Sequence, residues 1–161
     1  MNNSVKNFTD SRTKDVKQCF DISTELRLEN KYYRKFALTF FDNLLDFDIS
    51  SKDASLQPAK YYRRQVTAVI NAKAPAIIAG MAEIQAFLDH HNLLSTSDFK
   101  DGGPVKGGET IMTIEGRADR ILTVERTVLN IFQRLSGIAT VTAEYSQALK
   151  GLPCFVTATR K

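Results

Sequence analysis

Residues 121–135 constrain this chain more than any other stretch. Ile121, Val124, Val128, Ile131 and Leu135 recur at three- and four-residue steps, and Leu122, Leu129 and Phe132 widen the stripe. That spacing predicts a helix whose apolar surface is too broad for a solvated face. The polar line left over is narrow: Arg126, Asn130 and Gln133, with Thr123 and Thr127 beside it. A buried helix that keeps an arginine and an amide on one line must supply partners for them, because unpaired buried polar groups are costly. The helix is expected to run over 121–150, with a bend at Ser136-Gly137.

The chain's last residues read differently. After the stop signal of Gly151, the short apolar run Pro153-Cys154-Phe155-Val156-Thr157-Ala158 predicts a buried strand. It leads into Thr159, Arg160 and Lys161, a hydroxyl and two cations at the strand's carboxyl end. Ligands of α/β sheets and barrels sit at that end, and two adjacent cations suit a multiply anionic ligand.

Together these segments resemble the quinolinate phosphoribosyltransferase family. The family's long helix carries a Glu-Arg-Thr motif, a Leu-Asn pair and a Leu-Ser-Gly-Ile-Ala-Thr run. Here these are Glu125-Arg126-Thr127, Leu129-Asn130 and Leu135 through Thr140. The family's next strand ends in an Asp-Thr-Arg-Lys-Thr-like motif, which Thr159-Arg160-Lys161 resembles. Asp48-Ile49-Ser50-Ser51 resembles its Gly-Asp-Ile-Thr segment, and Ala72-Lys73 through Ile78-Ala79-Gly80 a further glycine-ended one. The likeness covers roughly residues 36–161.

The resemblance implies an α+β chain. An α/β-hammerhead-like amino-terminal domain would be followed by the first helix and strand of an α/β barrel that is itself absent. The implied divisions are a polar extension over 1–31, the sandwich domain over 32–120 and the start of the barrel domain over 121–161. A complete barrel needs about 200 residues or more, so the 161 residues cannot hold one. The chain is therefore expected to be an amino-terminal portion or a truncated form.

A net charge of +4 raises nucleic-acid binding, but the 22 cations are spread beside 18 anions. The densest basic group, Lys60 with Arg63-Arg64, is short and lacks interleaved aromatics. A solvated surface is the expected reading, with no nucleic-acid partner. Cys19 and Cys154 have neither zinc nor disulfide-framework spacing. No apolar run approaches a membrane span, and Met1-Asn2-Asn3-Ser4-Val5-Lys6 lacks the apolar h-region of a leader. A cytoplasmic location is expected.

Elsewhere, Tyr32 to Leu45 is expected to be a helix burying Phe36, Leu38, Phe40, Phe41, Leu44 and Leu45, followed by a side-chain-to-backbone turn at Asp48. Pairing of Asp48 with a substrate-handling cation is the other reading. Residues 64–72 alternate as a strand, and Ala76–Ala79 is a second short apolar piece. Gly80 then opens a helix that buries Met81, Ile84, Phe87 and Leu88. His90 and His91 are adjacent and so roughly 100° apart on a helix, which favours a helix-end role over joint metal ligation. The glycine-rich run 101–110 is not a GxxxxGK[ST] phosphate loop and is expected to make turns between short strands, Gly116 closing the second.

The reaction implied by the resemblance joins quinolinate and phosphoribosyl pyrophosphate into nicotinate mononucleotide, releasing pyrophosphate and carbon dioxide. A protein doing this must hold two mutually repelling anions, chiefly by positioning and fixed positive charge. Arginine's planar fork suits a carboxylate. By motif match, Arg126 would enter a neighbouring subunit's site and bind a quinolinate carboxylate. Thr159, Arg160 and Lys161 would contact the substrates, Arg160 and Lys161 catalytically. A structural ion pair is the other reading of Arg126. Mg2+ would arrive with phosphoribosyl pyrophosphate, its ligands lying in the missing barrel and none in this chain. A homodimer or higher oligomer with shared sites follows, and the chain alone is expected to be inactive. Ala158 stands where the family has aspartate. This keeps open the ModD-like proteins associated with molybdate transport genes and the nicotinate phosphoribosyltransferases. A non-catalytic dimerising remnant is the alternative from another class.

Overall fold

A computed structural model describes residues 14, 15, 19, 21–50, 63–152 and 154–158. Helix α1 (Lys31–Ser50) starts where Asn30 accepts the amide of Tyr32 through Oδ1 at 3.1 Å, a side-chain cap for an otherwise unpaired donor. Ala37, Phe41 and Leu45, four residues apart, are its buried line. Phe36 and Phe40, expected in the core, lie outside it at 67% and 49% exposure. A single helix cannot turn that many aromatic positions toward one core.

The expected turn at Asp48 is instead the last turn of α1, which runs beyond Leu45 to Ser50. The physical reason lies on another element. The Asp48 carboxylate accepts the hydroxyl of Thr127 at 2.7 Å, a long-range partner that competes with the local turn bond.

Strand β1 (Gln65–Asn71) follows the expected alternation. Next come β2 (Ala76–Ile77), α2 (Met81–His90), β3 (Leu94–Thr96), β4 (Pro104–Val105), β5 (Thr110–Arg117) and α3 (Ala118–Ala148). The larger sheet is antiparallel in the order β1-β5-β3. Gln65 faces Arg117 and Ile70 faces Met112, with a register shift between Ile70 and Asn71. On the other side of β5, Leu94 pairs with Glu115 and Thr96 with Thr113. β3 had no sequence signal, being three residues without a pattern.

Gly116 does not close β5, which continues through Arg117. A Cβ at Gly116 would collide with the Leu93 side chain, so the glycine lets Leu93, 1% exposed, pack against the strand. β2 and β4 form a separate two-stranded ladder. The glycine-rich run is scaffold, as expected. The amides of Gly102 and Gly108 donate to the carbonyls of Ile78 and Ala72 at 2.8 and 2.7 Å, so both donors serve the fold.

Gly80 opens α2 at φ +87°, a left-handed backbone that glycine adopts without strain. Met81, Ile84, Phe87 and Leu88 are buried, matching the expected face. Helix α3 leaves β5 directly and runs unbroken through Ser136-Gly137. Its Ile121, Val124, Val128, Ile131 and Phe132 join Phe41, Phe87 and Met112 in one core. Leu122 and Leu129 remain 44% and 40% exposed, so the covered stripe is narrower than the apolar spacing implied.

Residues 154–158 have no secondary structure, and Cys154 is exposed, so the strand expected there is not formed. A strand is stabilised by a neighbour's ladder bonds and side chains, and no described strand lies beside this segment. No helix among the described residues is long and apolar enough to cross a membrane.

Candidate functional site

Helix α3 sorts its side chains around its axis in a way that decides what it can present. Ile121, Val124, Val128, Ile131 and Phe132 are buried, whereas Arg126, Asn130 and Gln133 are exposed. The arginine–amide line therefore lies on the exposed side of the helix and not in its buried arc. Thr127, expected beside that line, is 1% exposed. At about 100° per residue it has turned from the solvent side to the margin of the buried arc.

The hydroxyls along α3 hold the helix to its neighbours. Thr127 donates to Asp48 Oδ2 at 2.7 Å. Ser136 Oγ accepts the amide of Ala79 at 3.2 Å, and Thr140 Oγ1 accepts the amide of Ile77 at 2.9 Å while donating to the Ser136 carbonyl at 2.7 Å. The Ser-Gly-Ile-Ala-Thr run thus satisfies backbone donors of β2 and its exit. Sequence reasoning missed these roles, because short hydroxyl residues on a helix give no spacing signal of their own. Beside them, a Cβ on Gly80 would run into the tip of Leu135, which would have to turn aside.

Two grooves are mainly apolar. One, between α1 and α3, is lined by Phe36, Phe40, Leu135 and Ile138, with Glu83 the one charged lining residue among those described. Tyr33 donates its hydroxyl to that carboxylate at 2.9 Å. Burial, then the Glu83 hydrogen bond, pushes the phenol up to about 12. A second groove, between β1 and α3, is lined by Val66, Val69 and Leu122, with Glu125 the one charged lining residue among those described. An acidic, apolar lining repels a dianion, so neither groove suits a multiply anionic ligand. Arg117, at the start of α3, is held by Asp119 through both carboxylate oxygens, and that pairing holds the Asp119 carboxyl below its usual range.

Asp42 meets both histidines. His91 Nε2 lies 3.0 Å from Oδ1 and His90 Nε2 lies 3.8 Å from Oδ2, which ties the end of α2 to α1. No group of three or more His, Cys, Asp or Glu among the described residues is arranged to hold a metal ion. The described side chains do not form a donor set that fits Mg2+. Thr159, Arg160 and Lys161 lie outside the described residues. Of the predicted site residues, only Arg126 has a described position, on the outward face of α3.

The described elements thus define an antiparallel α+β domain whose long helix α3 carries Arg126 on its exposed face. Residues 48–136 match the model of the quinolinate phosphoribosyl transferase N-terminal domain, and the chain belongs to that family. Among its relatives is the probable nicotinate-nucleotide pyrophosphorylase (carboxylating) of Bacillus subtilis, 38% identical over 117 residues, which cover 71% of this chain and 40% of that protein. The probable enzyme of the same name from Archaeoglobus fulgidus is 36% identical over 100 residues, covering 61% of this chain and 39% of the relative. The solved nicotinate-nucleotide pyrophosphorylase of Francisella tularensis superposes with a TM-score of 0.66 at 27% identity, covering 73% of this chain and 43% of that one. The chain thus spans about two fifths of the length of the curated relatives it matches.

Proposed function

We propose that this chain serves a phosphoribosyltransferase of NAD biosynthesis, which converts quinolinate and phosphoribosyl pyrophosphate to nicotinate mononucleotide, pyrophosphate and carbon dioxide. The observation that carries the reading is the family match over residues 48–136, a stretch that contains Glu125-Arg126-Thr127. In this reading residues 32–120 form the hammerhead-like domain and 121–161 open the barrel domain.

The residue roles are those the motif match implies, and charge makes them suitable. Arg126, reaching from one subunit into another's site, holds a quinolinate carboxylate in two-point geometry. Thr159, Arg160 and Lys161 meet the anionic substrates at the barrel's ligand face. Fixed cations offset the repulsion between a dicarboxylate and a polyphosphate and hold the pyridine nitrogen near the anomeric carbon. Alkylation makes that nitrogen positive, and the adjacent carboxylate then leaves as carbon dioxide. The ring electrons left behind are stabilised beside the cation and take up a proton from water, which gives the mononucleotide. The assembly this requires is a homodimer or a higher oligomer with shared sites.

The test assays the 161-residue chain and the longest natural form that contains it, with quinolinate, phosphoribosyl pyrophosphate and Mg2+. Nicotinate mononucleotide and labelled carbon dioxide are the readouts. Product from the longer form and none from the 161-residue chain is expected. Absence of product from both would overturn the reading. Ala158, in place of the family's aspartate, favours testing a second substrate. Mononucleotide made only from free nicotinate would assign the chain to the non-decarboxylating relatives.

A further inference from the structure

The buried arc of α3 is bounded on both sides by a bonded hydroxyl. At about 100° per residue, Thr127 and Ser136 lie about 180° apart around the axis, with Val124, Val128, Ile131 and Phe132 between them. Arg126 falls near the middle of the opposite, exposed arc. An apolar stripe alone tolerates some rolling of a helix, because hydrophobic burial is non-directional. Hydrogen bonds at both margins are directional and resist it. Thr127 and Ser136 are the buried polar side chains among the described residues. Valine would fill the space of Thr127 without a hydroxyl needing a partner.

We propose that Thr127 and Asp48 are positioning residues for the substrate arginine. Their bond, with the Ser136–Ala79 bond on the other margin, fixes the roll of α3 and so the direction in which Arg126 projects. This rests on the quinolinate reading for what Arg126 holds, while the aiming itself concerns this chain alone. Asp48 acts through Thr127, and the bond joins the end of α1 to the turn that carries the arginine. The end of α1 and the arginine turn therefore move as one unit.

Two measurements test it. In the longest natural form that contains this chain, Thr127→Val and Asp48→Ala should each raise the KM for quinolinate about tenfold, the scale of a lost charged hydrogen bond. The KM for phosphoribosyl pyrophosphate and kcat should stay unchanged. The double variant should be no worse than either single one, and Thr127→Ser, which keeps the hydroxyl, should restore the parent value. A merely structural role would lower the active fraction and the melting temperature without singling out one substrate. That result in an active parent would overturn the proposal. An inactive parent would instead sink the quinolinate reading. In the 161-residue chain itself, the Arg126 side-chain Nε–Hε NMR signal should shift in Thr127→Val and return in Thr127→Ser. An unmoved signal would overturn the aiming whatever the kinetics. Should Thr127→Val fail to fold, Asp48→Ala, at the end of α1 and outside the apolar core, carries the same comparison.

Discussion

Thr127 and Asp48, 79 residues apart in sequence, share a 2.7 Å hydrogen bond that joins the middle of α3 to the last turn of α1. The hydroxyl is buried and the carboxylate half-buried. Thr127→Val keeps the packing and removes the donor. We expect a loss of about 1 kcal/mol, below the usual range for a bond to a charged group because water still reaches the acceptor. For a chain of this size that lowers the melting temperature by about 2–4 °C. Differential scanning calorimetry of the two proteins measures it, and an unchanged transition would mean the bond adds no net stability.

Arg126→Ala should behave in the opposite way. Its side chain is exposed, and surface substitutions shift stability by about 0.5 kcal/mol or less. In the proposed enzyme it should weaken quinolinate binding about ten- to a hundredfold through loss of a charged hydrogen-bonding partner. Mixing it with an Arg160 variant should recover part of the activity through hybrid oligomers. Well-mixed subunits that stay inactive would count against a shared site.

Gly80→Ala should be among the more costly single changes in the chain. The backbone sits at φ +87°, and the added methyl would meet the tip of Leu135. Strain of this kind costs about 1–3 kcal/mol. Leu135 is a flexible side chain, so combining Gly80→Ala with Leu135→Ala should recover the steric part but not the backbone part. Urea unfolding midpoints of the four proteins separate the two, and a double variant as stable as the parent would exclude backbone strain.

Tyr33 predicts a pH dependence. Burial, then the bond to Glu83, pushes its phenol up to about 12 from 10.0. The folded state therefore favours the protonated phenol. The stability this contributes is fully present below about pH 10 and is lost as pH rises toward 12. Tyr33→Phe should flatten stability against pH in that window, and the phenolate absorbance of the parent should include one tyrosine titrating late. A parent curve matching Tyr33→Phe between pH 10 and 12 would sink this account.

Sequence alone determined the elements whose pattern is periodic and local. The three- and four-residue spacing of α2, strand β1 and the central apolar line of α3 appear where periodicity placed them. Burial follows whenever one face is consistently apolar. The specific helix motif containing Arg126 also made the family legible. Only the tertiary structure decided which margin of each element faces what. It took Asp48 out of its local turn, because Thr127 offered a partner across the fold. It placed Phe36 and Phe40 outside the core, because one helix face cannot bury every aromatic it carries. It turned the Arg126–Asn130–Gln133 line to the outside, although the apolar count suggested a helix covered on nearly every side. It left 154–158 without a strand, since a strand depends on a neighbour that no local pattern supplies. Periodicity is a property of one element, whereas hydrogen-bond partners and covering surfaces belong to pairs of elements, and those pairs exist only once the chain has folded.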